Sequence, residues 1–182
     1  MENKIVIRKA LHDDAGFIAL VVAMALGGNE EHRLYNVFKE LAGRECSQYS
    51  FRNVMIAEVD GKSVGAIVGY DGGCLQELRE PIFELVRKHT GEELEIEDET
   101  QAGEFYLDSL AVLPEYRSLG VGRALLCAMR DMAIKAGCER VGLIVDFDNP
   151  RAEALYSSLG FERVGRKAFL GHQMWHLQYL KK

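Results

Sequence analysis

Leu107-Asp108-Ser109-Leu110-Ala111-Val112-Leu113-Pro114-Glu115-Tyr116-Arg117-Ser118-Leu119-Gly120-Val121-Gly122-Arg123-Ala124-Leu125-Leu126 is the stretch on which the fold turns. The apolar run from Phe105 to Leu113 has the length and composition of a buried strand. Pro114 ends it, because proline has no N–H to give to a ladder. Apolar residues then return at helical spacing, at Leu125, Leu126, Met129, Met132 and Ala133, which predicts a helix over residues 120–136. Gly120 and Gly122 stand where strand gives way to helix. The first N–H groups of a helix have no intrahelical acceptor and carry the positive end of its dipole. Glycine lets a ligand come close to that backbone. Arg117 and Arg123 add formal charge on either side. These features together describe a seat for a phosphate or pyrophosphate.

Outward from this stretch, Arg140–Phe147 reads as the next strand, so residues 105–147 run strand, helix, strand. That order implies a parallel or mixed sheet with a covering helix. Asn149-Pro150 opens a short helix, with Asn a good N-cap and Pro suited to the first helical position, and Gly160 stops it. Phe161–Phe169 and Met174–Leu180 read as two final strands. On the N-terminal side, Ile5–Ile7 forms a short strand. A helix follows Asp13-Asp14, carries Phe17, Ile18, Leu20, Val21 and Met24, and stops at Gly27-Gly28. Residues 31–43 repeat the helical spacing with Leu34, Val37, Phe38 and Leu41. Val54–Val59 and Ser63–Tyr70 flank Asp60-Gly61, a strong hairpin signal. Residues 75–89 place Leu78, Ile82, Leu85 and Val86 on one helical face. The expected architecture is α/β: one domain over residues 1–182, with a twisted mixed sheet and helices on both faces.

Net charge is −6, and its distribution is uneven. Glu92, Glu93, Glu95, Glu97, Asp98, Glu99 and Glu104 account for seven of the 28 acidic residues, and the remaining 21 balance the 22 basic ones. No basic patch suggests nucleic acid. No apolar run in the first helix is long enough to span a bilayer, and the N-terminus lacks a basic-then-apolar leader pattern. Cys46, Cys74, Cys127 and Cys138 form no C-x-x-C pair, and we expect reduced, mostly buried thiols in a cytoplasmic protein.

Three phosphate-binding patterns compete at the glycine turn. A Walker loop requires Gly-Lys-Ser/Thr, and Gly122-Arg123-Ala124 does not supply it. A dinucleotide fingerprint requires a third Gly or Ala where Leu125 stands. The third pattern, Arg117-x-x-Gly120-x-Gly122 after Leu110-Ala111-Val112-Leu113-Pro114, fits. With it the chain resembles the GNAT superfamily of N-acetyltransferases over about residues 105–161. A second block, Val145-Asp146-Phe147-Asp148-Asn149-Pro150-Arg151-Ala152-Glu153-Ala154-Leu155-Tyr156-Ser157-Ser158-Leu159-Gly160-Phe161, strengthens the resemblance.

The resemblance implies acetyl-coenzyme A as cosubstrate, a primary amine of a small molecule or peptide as acceptor, and direct transfer in a ternary complex without a metal. Leu110, Ala111 and Val112 would pair with the pantetheine arm as an added strand does. The turn of Arg117, Ser118, Leu119, Gly120, Val121, Gly122, Arg123 and Ala124 would hold the pyrophosphate. Asn149 would cap its helix and sit near the pantetheine arm. Tyr156 matches the family's usual general acid, protonating the departing thiolate. Asp108 and Glu104 are the candidates for removing the amine's proton. Strand alternation, which sets Asp108 on the side of Leu110 and Val112, favours Asp108. A backbone N–H near Val112 could stabilise the oxyanion.

Other features take simpler readings. Residues 71–104 form an acidic insertion longer than a connection requires. It is either a solvated loop or a wall over the acceptor site that draws a polyamine, an aminoglycoside or a lysine-containing acceptor. His172 and His176 lack neighbouring Cys or acid in ligand spacing and read as packing or surface residues of a final hairpin. The final strands could support a homodimer. A non-catalytic acyl-coenzyme A sensor on the same fold is the alternative, against which Tyr156 stands, because binding needs no proton donor.

Overall fold

Residues 4–181 are described in the computed structural model, and their seven strands enter one sheet. In chain order these are β1 (Ile5–Lys9), β2 (Val54–Val59), β3 (Lys62–Asp71), β4 (Phe105–Val112), β5 (Arg140–Asp146), β6 (Glu162–Phe169) and β7 (His172–Leu180). Their spatial order is β1-β2-β3-β4-β5-β7-β6. All neighbours are antiparallel except β4 and β5, which are parallel.

The sheet is mixed and has helices on both faces. α1 (Ala15–Ala25), α2 (Tyr35–Gly43) and α3 (Leu75–Thr90) bury Ile18, Val22, Phe38, Leu41, Ile82 and Leu85 against Ile56, Val68 and Tyr106. α4 (Val121–Lys135) buries Leu125, Leu126 and Met129 against Ile67, Leu107, Val141 and Leu143 on the other. Burying such side chains is worth about 1.5–3 kcal/mol each, and this burial holds both layers to the sheet. α5 (Pro150–Ser158) lies on the α4 side, with Leu155 and Tyr156 packed at its edge.

Two local features position the site. β4 and β5 pair only at Phe105↔Val141 and Tyr106↔Gly142. Beyond these residues β4 stays on β3 and β5 stays on β7, so the sheet opens along Leu107–Val112. The second feature is a bulge. Leu107 lies opposite Gly69 and Leu110 opposite Ile67, so β4 carries one residue more than β3 at Asp108-Ser109.

The expected elements all form, with shifted ends. The second helix begins at Tyr35 rather than at residue 31, and the last strand begins at His172. The expectation of mostly buried thiols fails: Cys46 and Cys74 are exposed and Cys127 and Cys138 half-buried. The acidic insertion splits into α3 and an irregular segment, 91–104, that is not simply solvated. Glu99, Thr100 and Glu104 are buried within it.

Candidate active site

Gly120 holds φ = +85°, a conformation open to glycine, and serves as the N-cap of α4. The chain therefore turns sharply out of the Pro114–Tyr116 turn and aims the first amides of α4 at the open edge of β4. Ser118 also has positive φ, 64°, in the same turn. Across the opening, Asn149 caps α5 by accepting from Ala152 N at 3.1 Å, and Pro150 sits at the first position.

These elements enclose a groove of about 570 Å³. Leu110, Ala111, Val112, Arg117, Ser118, Gly120, Val121, Gly122, Arg123, Asn149 and Tyr156 line it, as does Arg151, which sequence reasoning did not single out. Leu119 and Ala124 lie outside the lining. Leu119 is exposed, and the Ala124 amide donates to Gly120 O at 3.0 Å. Arg117 donates to Val112 O, Arg123 to Ser158 Oγ and Arg151 to Ser118 Oγ. None of the three forms an ion pair among the described residues. Three cations on neutral partners around a helix N-terminus suit a polyanion.

Tyr156 stands where this groove meets a second cavity, of about 430 Å³, and it lines both together with Ala25, Leu110, Asn149 and Ala152. Its ring packs edge-on to Phe161 at 6.3 Å. Burial pushes the phenol up to about 12, so it keeps its proton at neutral pH.

The second cavity also receives Asp108, but not by strand alternation. The bulge reverses the alternation within β4, so Phe105 and Leu107, then Leu110 and Val112, all pack on the α4 side. Asp108 turns instead toward Tyr70, which belongs to the opposite core. Its Oδ2 accepts from Gln48 Nε2 at 2.6 Å and Tyr70 OH at 2.8 Å, and its Oδ1 from Ser109 Oγ at 2.7 Å. Gln48 Nε2 also donates to Glu99 Oε1, and Glu99 pairs with Arg79, both side chains 2% exposed. Burial, followed by the nearby Asp108 charge, pushes the Glu99 carboxyl up. Gln48, Tyr70, Arg79 and Glu99 were missed in the sequence because no spacing links them; they come from separate elements and from segment 91–104.

Glu104 has other work. It accepts from Thr100 at 2.6 Å and Gln178 at 2.7 Å, and contacts His176 Nε2 at 2.9 Å. Its carboxylate occupies the space over Gly142 that a Cβ would need. Burial alone would raise this carboxyl, but the donors His176, Thr100 and Gln178 outweigh it and hold it below its ordinary value. Glu104 thus ties segment 91–104 to β5 and β7. His172 is exposed and pairs with Asp146 at 2.6 Å on the wall of the second cavity. No group of three or more His, Cys, Asp or Glu suited to a metal occurs among the described residues. No helix among them is long and apolar enough to cross a membrane.

The Acetyltransferase (GNAT) family profile matches residues 26–161, and the chain belongs to this family of acyltransferases, whose acyl donor is acetyl-coenzyme A. A crystal structure of an acetyltransferase superposes with a TM-score of 0.82 at 31% identity, covering 97% of this chain and 100% of that one. The mycothiol acetyltransferase of Kocuria rhizophila is 46% identical over 66 residues, 36% of this chain and 21% of that protein. An acetyltransferase of Sodalis glossinidius is 28% identical over 121 residues, 66% of this chain and 64% of that protein. The chain spans less than two thirds of the length of these two relatives.

Proposed function

We propose that this protein transfers acetyl from acetyl-coenzyme A to a primary amine, by direct attack in a ternary complex. The observation that carries the reading is the position of Tyr156, a protonated phenol at the junction of a cationic groove and a second cavity. The residues fit the cosubstrate. Arg117, Arg123, Arg151 and the first amides of α4 would neutralise its phosphates. The open edge of β4 at Leu110–Val112 offers main-chain groups to its pantetheine arm.

The amine would enter from the second cavity, where Asp108 faces it. Asp108 is held in place by hydrogen bonds from Gln48, Tyr70 and Ser109, and its role is to bind and orient the amine beside Tyr156. The neutral amine attacks the thioester carbonyl, the C–S bond breaks, and the phenol of Tyr156 gives its proton to the departing thiolate. The ammonium sheds one proton to water in the open cavity before attack, and the proton that the nitrogen loses after attack returns through water to the Tyr156 phenolate, restoring the phenol. Retention of a proton donor at this junction favours an enzyme over a non-catalytic sensor.

Mass spectrometry of amines incubated with protein and acetyl-coenzyme A tests the reading. We expect a primary amine in the panel to gain one acetyl group. Tight coenzyme binding with no acetylated product from polyamines, aminoglycosides, arylalkylamines, amino acids or lysine peptides would support the sensor instead.

A further inference from the structure

Beyond the second cavity lies a third, of about 300 Å³, with which it shares Leu26, Phe169 and Leu170. Leu26 ends α1 and Leu170 caps the β6–β7 hairpin. Each is 45% exposed, so two large apolar side chains stand open to water at the passage between the cavities. Leu34, Phe38, Tyr49 and Ile82 continue the apolar wall.

Segment 91–104 closes the third cavity with Leu94 and Ile96, and of its acids only Glu99, held by Arg79, lines the cavity. Glu93, Glu95 and Glu97 are exposed, while Leu94 and Ile96 between them are half-buried and line the cavity. Arg79 fixes this orientation by donating to Ile96 O at 3.3 Å and Glu97 O at 3.2 Å, besides pairing with Asp98 and Glu99. Glu97 accepts from Leu170 N, and Lys167 reaches Gln101 Oε1 at 2.8 Å, so the segment is also tied to the hairpin. The acids that gave the segment its charge in the sequence therefore point to solvent, apart from Glu99 and Glu104. At the cavity floor, Gln48 bridges Glu99 to Asp108, two carboxylates offset by Arg79.

The geometry points to this third cavity as the subsite for the body of the acceptor, and to an acceptor whose primary amine is carried on a small aromatic or branched-aliphatic body. The amine would lie at Asp108 beside Tyr156, and the apolar body would pass Leu26 and Leu170 to rest on Leu94, Ile96 and Phe38. Along that path Glu99 is held by Arg79 and Asp146 pairs with His172, and because Arg33 and Arg79 line the third cavity, the far end of a polycation would meet like charge there. The inference rests on the transferase reading only for which amine receives the acetyl group; the subsite itself is a matter of binding.

Calorimetric titration with phenethylamine and with spermidine, with thiol release scored separately, tests it. Wild type should bind phenethylamine more tightly than spermidine, with little dependence on salt. Leu94→Trp, which fills the cavity, should weaken phenethylamine about tenfold, and Leu94→Ala, which strips part of its wall, about three- to fivefold. Unchanged acetyl-coenzyme A binding confirms that both variants fold. Tighter binding of spermidine, or phenethylamine binding that neither variant moves, would overturn the subsite. Phenethylamine binding lost in Leu94→Trp but with no thiol release in wild type would remove the transferase reading and leave the subsite standing.

Discussion

Tyr156 and Asp108 meet at one cavity from different elements, and their environments suit opposite tasks. The phenol is kept protonated by burial, while the carboxylate is kept supplied with donors. For Tyr156 the folded value of about 12 lies above the roughly 10 of an unfolded tyrosine. Its contribution to stability is therefore present below about pH 10 and lost as pH rises toward 12. Thermal unfolding followed from pH 9 to 12 should show a loss of stability that is shallower in Tyr156→Phe. Asp108→Asn should raise KM for the amine by about ten- to a hundredfold while leaving acetyl-coenzyme A binding unchanged, as steady-state kinetics with each substrate varied would show. Tyr156 stands in a local block, so its place beside the groove could be expected from the sequence. Asp108 was expected on the side of Leu110 and Val112, and it turns to the opposite core instead. Alternation along β4 breaks at the bulge, and one extra residue in a strand leaves no mark on composition or spacing.

At the scale of elements, the turn before α4 and the cap of α5 were readable because each depends on two or three adjacent residues. Gly120→Ala would force a side chain into positive φ and move the amides behind it. We expect a cost of about 1 kcal/mol in denaturant unfolding, together with weaker acetyl-coenzyme A binding. Asn149→Ala removes the bond to Ala152 N and should cost about 1 kcal/mol. Segment 91–104 was not readable in this way. Its acidity suggested solvation, yet its anchor is Arg79, a residue of α3 that is 2% exposed and pairs with Glu99. Glu99→Ala leaves the buried guanidinium with only the exposed Asp98 and backbone carbonyls, and should destabilise the protein by about 3–5 kcal/mol in urea unfolding.

Over the whole molecule, the sheet divides the labour. Two ladder pairs hold β4 and β5 together at one end, and the opening beyond them lies between the cationic groove and the second cavity. The mixed sheet, the strand–helix–strand unit and the two helical layers follow from hydrophobic periodicity and the glycine turn and were expected from the sequence, whereas the spatial order of the strands was not. The walls of the third cavity come from α1, α2, α3, segment 91–104 and the final hairpin, and only folding brings these together. Charge is also distributed at this scale: the chain carries −6, yet the groove is edged by Arg117, Arg123 and Arg151. Acetyl-coenzyme A affinity should therefore fall as salt rises, and Arg151→Ala should both weaken it and flatten that dependence, as titrations at several ionic strengths would show.

The most direct test of the central claim is thiol release from acetyl-coenzyme A, dependent on a primary amine, in wild type and Tyr156→Phe side by side. The account predicts amine-dependent release that falls by about 10²- to 10⁴-fold in Tyr156→Phe while acetyl-coenzyme A binding is retained. Equal rates in the two proteins would contradict the placement of the proton donor at the junction of the two cavities.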